Sequence, residues 1–311
     1  LIDKYIIRRI HIEALISIAS VYFFILLGFI AKQTFKDEIN DKTLILLSIY
    51  FVQPILTFWG LTRVELNYNL VYTPFLYFII VTVTLIFSIF AAKKVSNDSQ
   101  EQSIFIVASL IGNTGNLGIP LGIALFGEAS VAYTSMINIA NIFFIYTIGI
   151  YFYAKSKFNL KSSIKNIAKI PILWFTLIAI CFNYFGFTIH PQIDKLLEMG
   201  AYTAIVLQLI IFGIYLSGIR ISVINYKLTF SSSFVKLILL PTFGYIVLLT
   251  LNVDKFIASI LLMQLLVPLA VNNVNMASLY DCKPYDVTII VVFSSLLFIP
   301  ILVLFMQFIG L

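Results

Sequence analysis

The chain has 311 residues, of which 61% are hydrophobic and 11% charged, with a formal net charge of +6 and a mean hydropathy of +1.03. Soluble domains carry roughly 25% charged residues, so this composition excludes a water-soluble globule and makes the bilayer the solvent of the fold. The positive balance does not point to nucleic acid, because the basic residues fall in short links between apolar runs, where they set topology.

Hydropathy and punctuation predict ten transmembrane helices, over 12–31, 40–61, 70–92, 103–126, 130–154, 167–188, 196–218, 230–251, 255–280 and 286–310. These runs are too long for the ~10-residue alternating strands of an outer-membrane barrel. Residues 12–31 are read as a retained span rather than a cleaved signal, since no small-residue cleavage site follows before Lys32. Residues 1–11, with Lys4, Arg8 and Arg9, are expected to form an interfacial helix. Trp59, near an outer span end, reads as an interface anchor. Cys181 and Cys282 are expected to be free thiols.

Placing the N-terminus outside assigns fourteen of the twenty Lys and Arg residues to the cytoplasmic side, Lys236 among them. The positive-inside rule then puts both termini outside, in a cell (inner) membrane. The link between spans five and six is the most basic stretch, with Lys155, Lys157, Lys161, Lys165 and Lys169 and no acid. It reads as a topology anchor against anionic lipid headgroups. It also divides the chain into a five-helix repeat over 1–154, a basic linker over 155–169 and a second repeat over 170–311. An odd number of spans per half inverts one half relative to the other, a common plan of secondary transporters.

The fourth span of each half is interrupted. Span four carries Gly112-Asn113-Thr114-Gly115-Asn116-Leu117-Gly118-Ile119-Pro120, and span nine carries Val267-Pro268-Leu269-Ala270-Val271-Asn272-Asn273-Val274-Asn275. Proline removes a backbone donor and clashes with the preceding turn, and glycine weakens a helix. Backbone groups freed inside a membrane must find partners or line a polar cavity. Gly112, Gly118, Pro120 and Pro268 are therefore read as the backbone of the two interruptions, and Asn113, Asn116, Asn272 and Asn273 as substrate-binding groups. An uncharged amide offers both donors and an acceptor, so these residues suit a carboxylate or a partly dehydrated ion. Gln53, Asn138, Asn141, Gln208 and Asn275 are secondary candidates, read first as interhelical hydrogen-bonding groups. No Asp, Glu, Lys, Arg or His stands near the centre of either interrupted span.

These segments resemble the auxin efflux carrier family of permeases. The likeness rests on Asn113 standing seven residues before Pro120, on Gly118-Ile119-Pro120, and on Pro268-Leu269-Ala270-Val271-Asn272 with Ala277 and Tyr280. Pro54-Ile55-Leu56 and Ser294 through Pro300 fit as well. The resemblance implies an all-α integral membrane protein of two inverted five-helix repeats with crossing broken helices, similar to bile acid sodium symporters. It places Asn113 and Pro120 at one crossover element, and Pro268 and Asn272 at the other. Plant members export auxin, and bacterial members are associated with malate, malonate and related carboxylates. The chain departs from the family in span seven, where Ala204 through Leu209 replace a proline followed by Leu-Ala-Leu.

The expectation is a permease of small organic anions working by alternating access. The alternatives are a channel of the same fold or a non-transporting receptor. An enzyme is not expected, since His11 and His190 are isolated and no metal-site spacing is present. No cofactor or metal is expected. H+ and Na+ both stand as coupling ions, and a homodimer is left open.

Overall fold

In the computed structural model the described residues are 2–154, 161, 164–165, 168–217 and 224–309, with side chains described within these from residue 16 to 308 except 17, 18 and 41. Lys155, Lys157 and Arg220 lie outside the described residues. The described chain is helical, with a single isolated β-bridge and no named strand.

The helices are α1 (Ile2–Phe35), α2 (Asp41–Leu47), α3 (Gln53–Thr62), α4 (Tyr68–Val95), α5 (Ser99–Ala108), α6 (Ile119–Phe126), α7 (Ser130–Phe144) and α8 (Ile150–Ala154). There follow α9 (Pro171–Tyr184), α10 (Pro191–Ser217), α11 (Tyr226–Phe234), α12 (Leu240–Thr250), α13 (Lys255–Leu266), α14 (Asn272–Leu279) and α15 (Pro284–Ile309). Among the described residues six helices are long and apolar enough to cross a membrane: Lys42–Thr62, Tyr68–Val95, Ser130–Ala154, Pro191–Ser217, Tyr226–Thr250 and Pro284–Phe308. Three shorter apolar helices accompany them, Thr114–Phe126, Pro171–Tyr184 and Lys255–Leu266. The first helix runs unbroken from Ile2 to Phe35, so the expected interfacial helix is not a separate element.

Short polar links start and stop the helices. The side chains of Asn40, Asn67, Asp98, Asn225 and Asp254 accept hydrogen bonds from the first free amides of α2, α4, α5, α11 and α13, which is the chemistry of an N-cap. Proline opens α9, α10 and α15, where the missing amide costs nothing. Gly127 ends α6 in a positive-φ conformation that other residues resist.

Large apolar side chains such as Phe23, Phe75, Phe90, Tyr184, Leu304 and Phe308 are exposed. In water such a surface would aggregate; in a bilayer it is the correct outer face. Trp59 departs from its expected role as an interface anchor. It is fully buried, with the Arg63 guanidinium 4.6 Å above its ring. Arg63 in turn pairs with Glu128 at 3.0 Å and Asp194 at 2.8 Å. A second charged cluster ties the start of α5 to the start of α15: Lys283 sits 2.7 Å from Glu101 and 3.3 Å from Asp98. The Lys283 ammonium holds the Glu101 carboxyl below its ordinary range. Neither Cys181 nor Cys282 forms a disulfide.

The chain pins α1 against α10 through glycine. A Cβ at Gly28 would run into the Ile210 carbonyl, and one at Gly213 into the Ile25 carbonyl. Backbones can approach this closely only over small residues, the usual means of helix association in lipid. Gly213→Ala is therefore expected to force α1 and α10 apart at a cost of about 1–3 kcal/mol. The check is a lowered thermal unfolding midpoint in detergent, and Ala201→Gly, elsewhere on α10, serves as control.

Candidate functional site

Two helices break and cross at the centre of the molecule. After α5 the chain runs through Ser109–Asn113, turns through the π-helical segment Thr114–Gly118 and continues as α6. After α13 it runs through Val267–Val271 into α14. The unwound stretches pair antiparallel at Gly112 and Leu269. The Asn113 amide donates to the Pro268 carbonyl at 2.8 Å, and the Ala270 amide to the Ile111 carbonyl at 3.2 Å. Leu269 N donates to Ser294 Oγ at 3.2 Å, and Asn141 Nδ2 to Gly112 O at 2.8 Å. Groups that would otherwise be orphaned in lipid are thus satisfied.

Pro268 lies in the pairing itself. Pro120 does not: it stands in the first turn of α6, where proline is compatible with a helix. The first interruption is centred on Gly112 and Asn113, and Pro120 follows it. Gly112 is confined as well, since a Cβ there would sit 2.9 Å from Val267 Cγ2. Gly118 closes the π turn against Gln264, whose side chain a Cβ would meet.

A cavity opens on one side of this crossing. Its polar lining comes from Ser48, Gln53, Asn113, Thr114, Asn116, Asn138, Asn141 and Asn272, and its apolar lining includes Ile49, Ile142, Tyr146, Ile211 and Phe212. Its volume is about 70 Å³, room for a few ordered waters at roughly 10–15 Å³ each. Two helix starts face it, the Thr114–Gly118 turn leading into α6 and the first residues of α14. Such starts carry unpaired amides and partial positive charge.

The sequence-predicted residues separate into classes. Asn113, Asn116 and Asn272 line the cavity. The Asn113 side chain is 4% exposed, and its Nδ2 has no partner among the described residues. Asn116 accepts from Gln53 Nε2 at 3.2 Å, which brings Gln53 into the lining. Asn138 accepts from Thr114 Oγ1 at 2.9 Å. Asn141 lines the cavity but is fully engaged: it accepts from Tyr77 OH at 2.9 Å and donates to Gly112 O and to Thr114 Oγ1. Asn273 is turned away, donating to Ala270 O at 2.9 Å and accepting from Tyr153 OH at 3.4 Å. Asn275 is exposed and takes no part in the lining. Gln208 is wholly buried outside the lining, with both amide atoms unpartnered among the described residues.

Sequence reasoning missed Ser48, Thr114 and Tyr146. Ser48 and Tyr146 belong to π-helical turns at Ser48–Val52 and Ile145–Gly149, which a hydropathy reading cannot detect. Lys236 is a sharper departure. Assigned by the positive-inside count to the cytoplasmic side, it is in fact 1% exposed and donates from Nζ to Leu265 O at 2.6 Å, beside the second break. Among the described residues no three His, Cys, Asp or Glu side chains gather as a metal site.

The class is therefore a multi-pass helical membrane protein with a small, polar, uncharged cavity built on two broken helices. Residues 13–306 match the model of the membrane transport protein family, and the chain belongs to that family of auxin efflux carrier-like permeases. It is also similar to an uncharacterized transporter of Methanocaldococcus jannaschii, 26% identical over 180 residues. That match spans 57% of this chain and 58% of the relative. Membership of that family and the apolar helices make the chain a multi-pass membrane protein.

The hydrogen-bonding centre gives a direct expectation. Asn141→Leu strands the Gly112 carbonyl and the Tyr77 hydroxyl together, while the Thr114 hydroxyl keeps its bond to Asn138. It should cost more stability than Tyr77→Phe, at about 1–3 kcal/mol for each buried group left unpaired. Thermal unfolding of the two purified variants in the same detergent checks the order.

Proposed function

We propose that the chain is a secondary transporter of small organic anions, mono- or dicarboxylates of the size of malate or malonate, working by alternating access around the crossed segments. The observation that carries this reading is the unpartnered Asn113 Nδ2 in a cavity flanked by two helix starts. A donor without an acceptor, beside the positive ends of two helix dipoles, suits an anionic oxygen. The cavity is small and polar, in keeping with a small polar solute. The likeness to the family's carboxylate-associated bacterial members points the same way.

The reading extends to architecture. Six long spans, three shorter apolar helices and a long first helix are consistent with ten spans in two inverted repeats, over 1–154 and 170–311. In this arrangement the links holding Lys93, Lys94 and Lys161 face the cytoplasm, and both termini lie outside the cell membrane. The solute, the membrane lipids and no nucleic acid are the partners. A homodimer stays compatible with the fold.

The deciding experiment is uptake into proteoliposomes across a panel of carboxylates. Asn113→Ala and Asn272→Ala are expected to raise KM about tenfold each, or ~1.4 kcal/mol, without loss of folded protein. Wild-type kinetics in both would assign these side chains to packing. Currents far above carrier turnover would favour a channel, and saturable binding without uptake a receptor. Orientation has its own check: a single cysteine placed at Lys161 should react only with impermeant reagents supplied from the cytoplasmic side, and labelling from outside would reverse the topology.

A further inference from the structure

Lys236 is a cation where the transport reading placed none. It belongs to the π-helical turn Val235–Leu239 between α11 and α12. Among the described residues its Nζ donates to the carbonyl of Leu265, in the last turn of α13. The end of a helix collects partial negative charge on carbonyls that lack intrahelical partners, and an ammonium there is a tethered ligand of that charge. No carboxylate answers it: the ion pairs among the described residues centre on Arg63 and Lys283.

Lys236 also lies directly behind the cavity. A Cβ built on Gly112 would be 3.1 Å from Lys236 Nζ, and Gly112 itself is among the residues that line the cavity, as Lys236 is not. The ammonium is therefore separated from the solute space by the thickness of one glycine backbone. Glycine at this position is what lets the charge come so close. An unpaired charge in a membrane interior is costly, and such residues mark ion and substrate pathways.

We propose that Lys236 is the built-in counter-charge of the transport site. Held behind the crossed segments, its ammonium offsets the charge of an anion bound in front of them, so that no metal cation has to enter with the substrate. This rests on the organic-anion reading and adds to it the source of the positive charge and independence from sodium. The asparagine amides then orient the anion, and Lys236 neutralises it without touching it.

The test is uptake of the carboxylate panel into proteoliposomes holding the wild-type chain or Lys236→Met, which keeps the length of the side chain and removes the charge. Wild-type uptake should be the same in sodium and in N-methylglucamine. Lys236→Met should raise KM at least about tenfold with a smaller change in kcat. The voltage dependence of its initial uptake rate should also change, since the loaded site now carries one more negative charge on the inward step and the empty carrier one positive charge fewer on the return. A purely structural clamp between α11–α12 and α13 would lower the yield of folded protein without changing that voltage dependence. Folded Lys236→Met with wild-type KM and voltage response overturns the proposal, and so does wild-type uptake driven by a sodium gradient. If Lys236→Met does not fold, the wild-type sodium comparison decides alone. A wild-type chain that moves none of the carboxylates overturns the anion reading and this proposal with it.

Discussion

Everything at the centre of this protein depends on four backbone groups finding each other. Breaking a helix inside a membrane exposes amides and carbonyls to a medium that cannot hydrogen-bond them, at several kcal/mol for each group. Two breaks placed side by side solve the problem jointly. Asn113 and Ala270 donate to Pro268 and Ile111, and each stretch becomes the other's partner. Neither break is tolerable alone, so the two interruptions form a single structural unit despite lying more than 150 residues apart in the sequence. The remaining groups are collected by side chains from outside the crossing, with Asn141 taking the Gly112 carbonyl and Ser294 the Leu269 amide. The cavity is what is left between the pair and the helices that hold it.

That dependence explains the chemistry of the lining. Side chains recruited to pair with freed backbone groups need donors and acceptors rather than charge, and the polar lining is accordingly amides and hydroxyls. The ion pairs sit elsewhere: Arg63 with Glu128 and Asp194 around the buried Trp59, and Lys283 with Asp98 and Glu101 where α5 and α15 begin. Lys236 is the exception, and its place is explained by a helix end that needs a cation.

Much of this was legible in the sequence. Apolar runs bounded by Asn, Asp, Pro and Gly foretold the helices, because caps and punctuation act locally. The two interruptions were visible through Gly112, Asn113 and Pro268, since backbone-breaking residues inside apolar runs have few other uses in lipid. What could not be read was which atoms pair across the crossing. Pro120 looks like the more conspicuous breaker, yet it is harmless in the first turn of α6, and Gly112 makes the contact. Asn273 and Asn272 are adjacent and chemically identical. Helix phase alone sends one to Tyr153 and the other to the cavity. Trp59 and Lys236 were misplaced for a shared reason: both residue types have strong statistical addresses in membrane proteins, and both here are governed by a particular tertiary partner.

The π-helical turns carry a consequence of their own. Four occur among the described residues, at Ser48–Val52, Thr114–Gly118, Ile145–Gly149 and Val235–Leu239. Each supplies the central region, through Ser48, Asn116, Tyr146 and Lys236 respectively. A π turn accommodates one residue more than an α turn does, and one residue is roughly 100° of rotation about a helix axis. Each turn is therefore a phase shifter, setting the half of the helix beyond it at a different azimuth from the half before. Loss of a single residue there would leave hydropathy and length nearly untouched while turning polar groups toward lipid. Single-residue gaps at these four places in related chains mark a change in the wiring of the site, even where the remaining sequence matches.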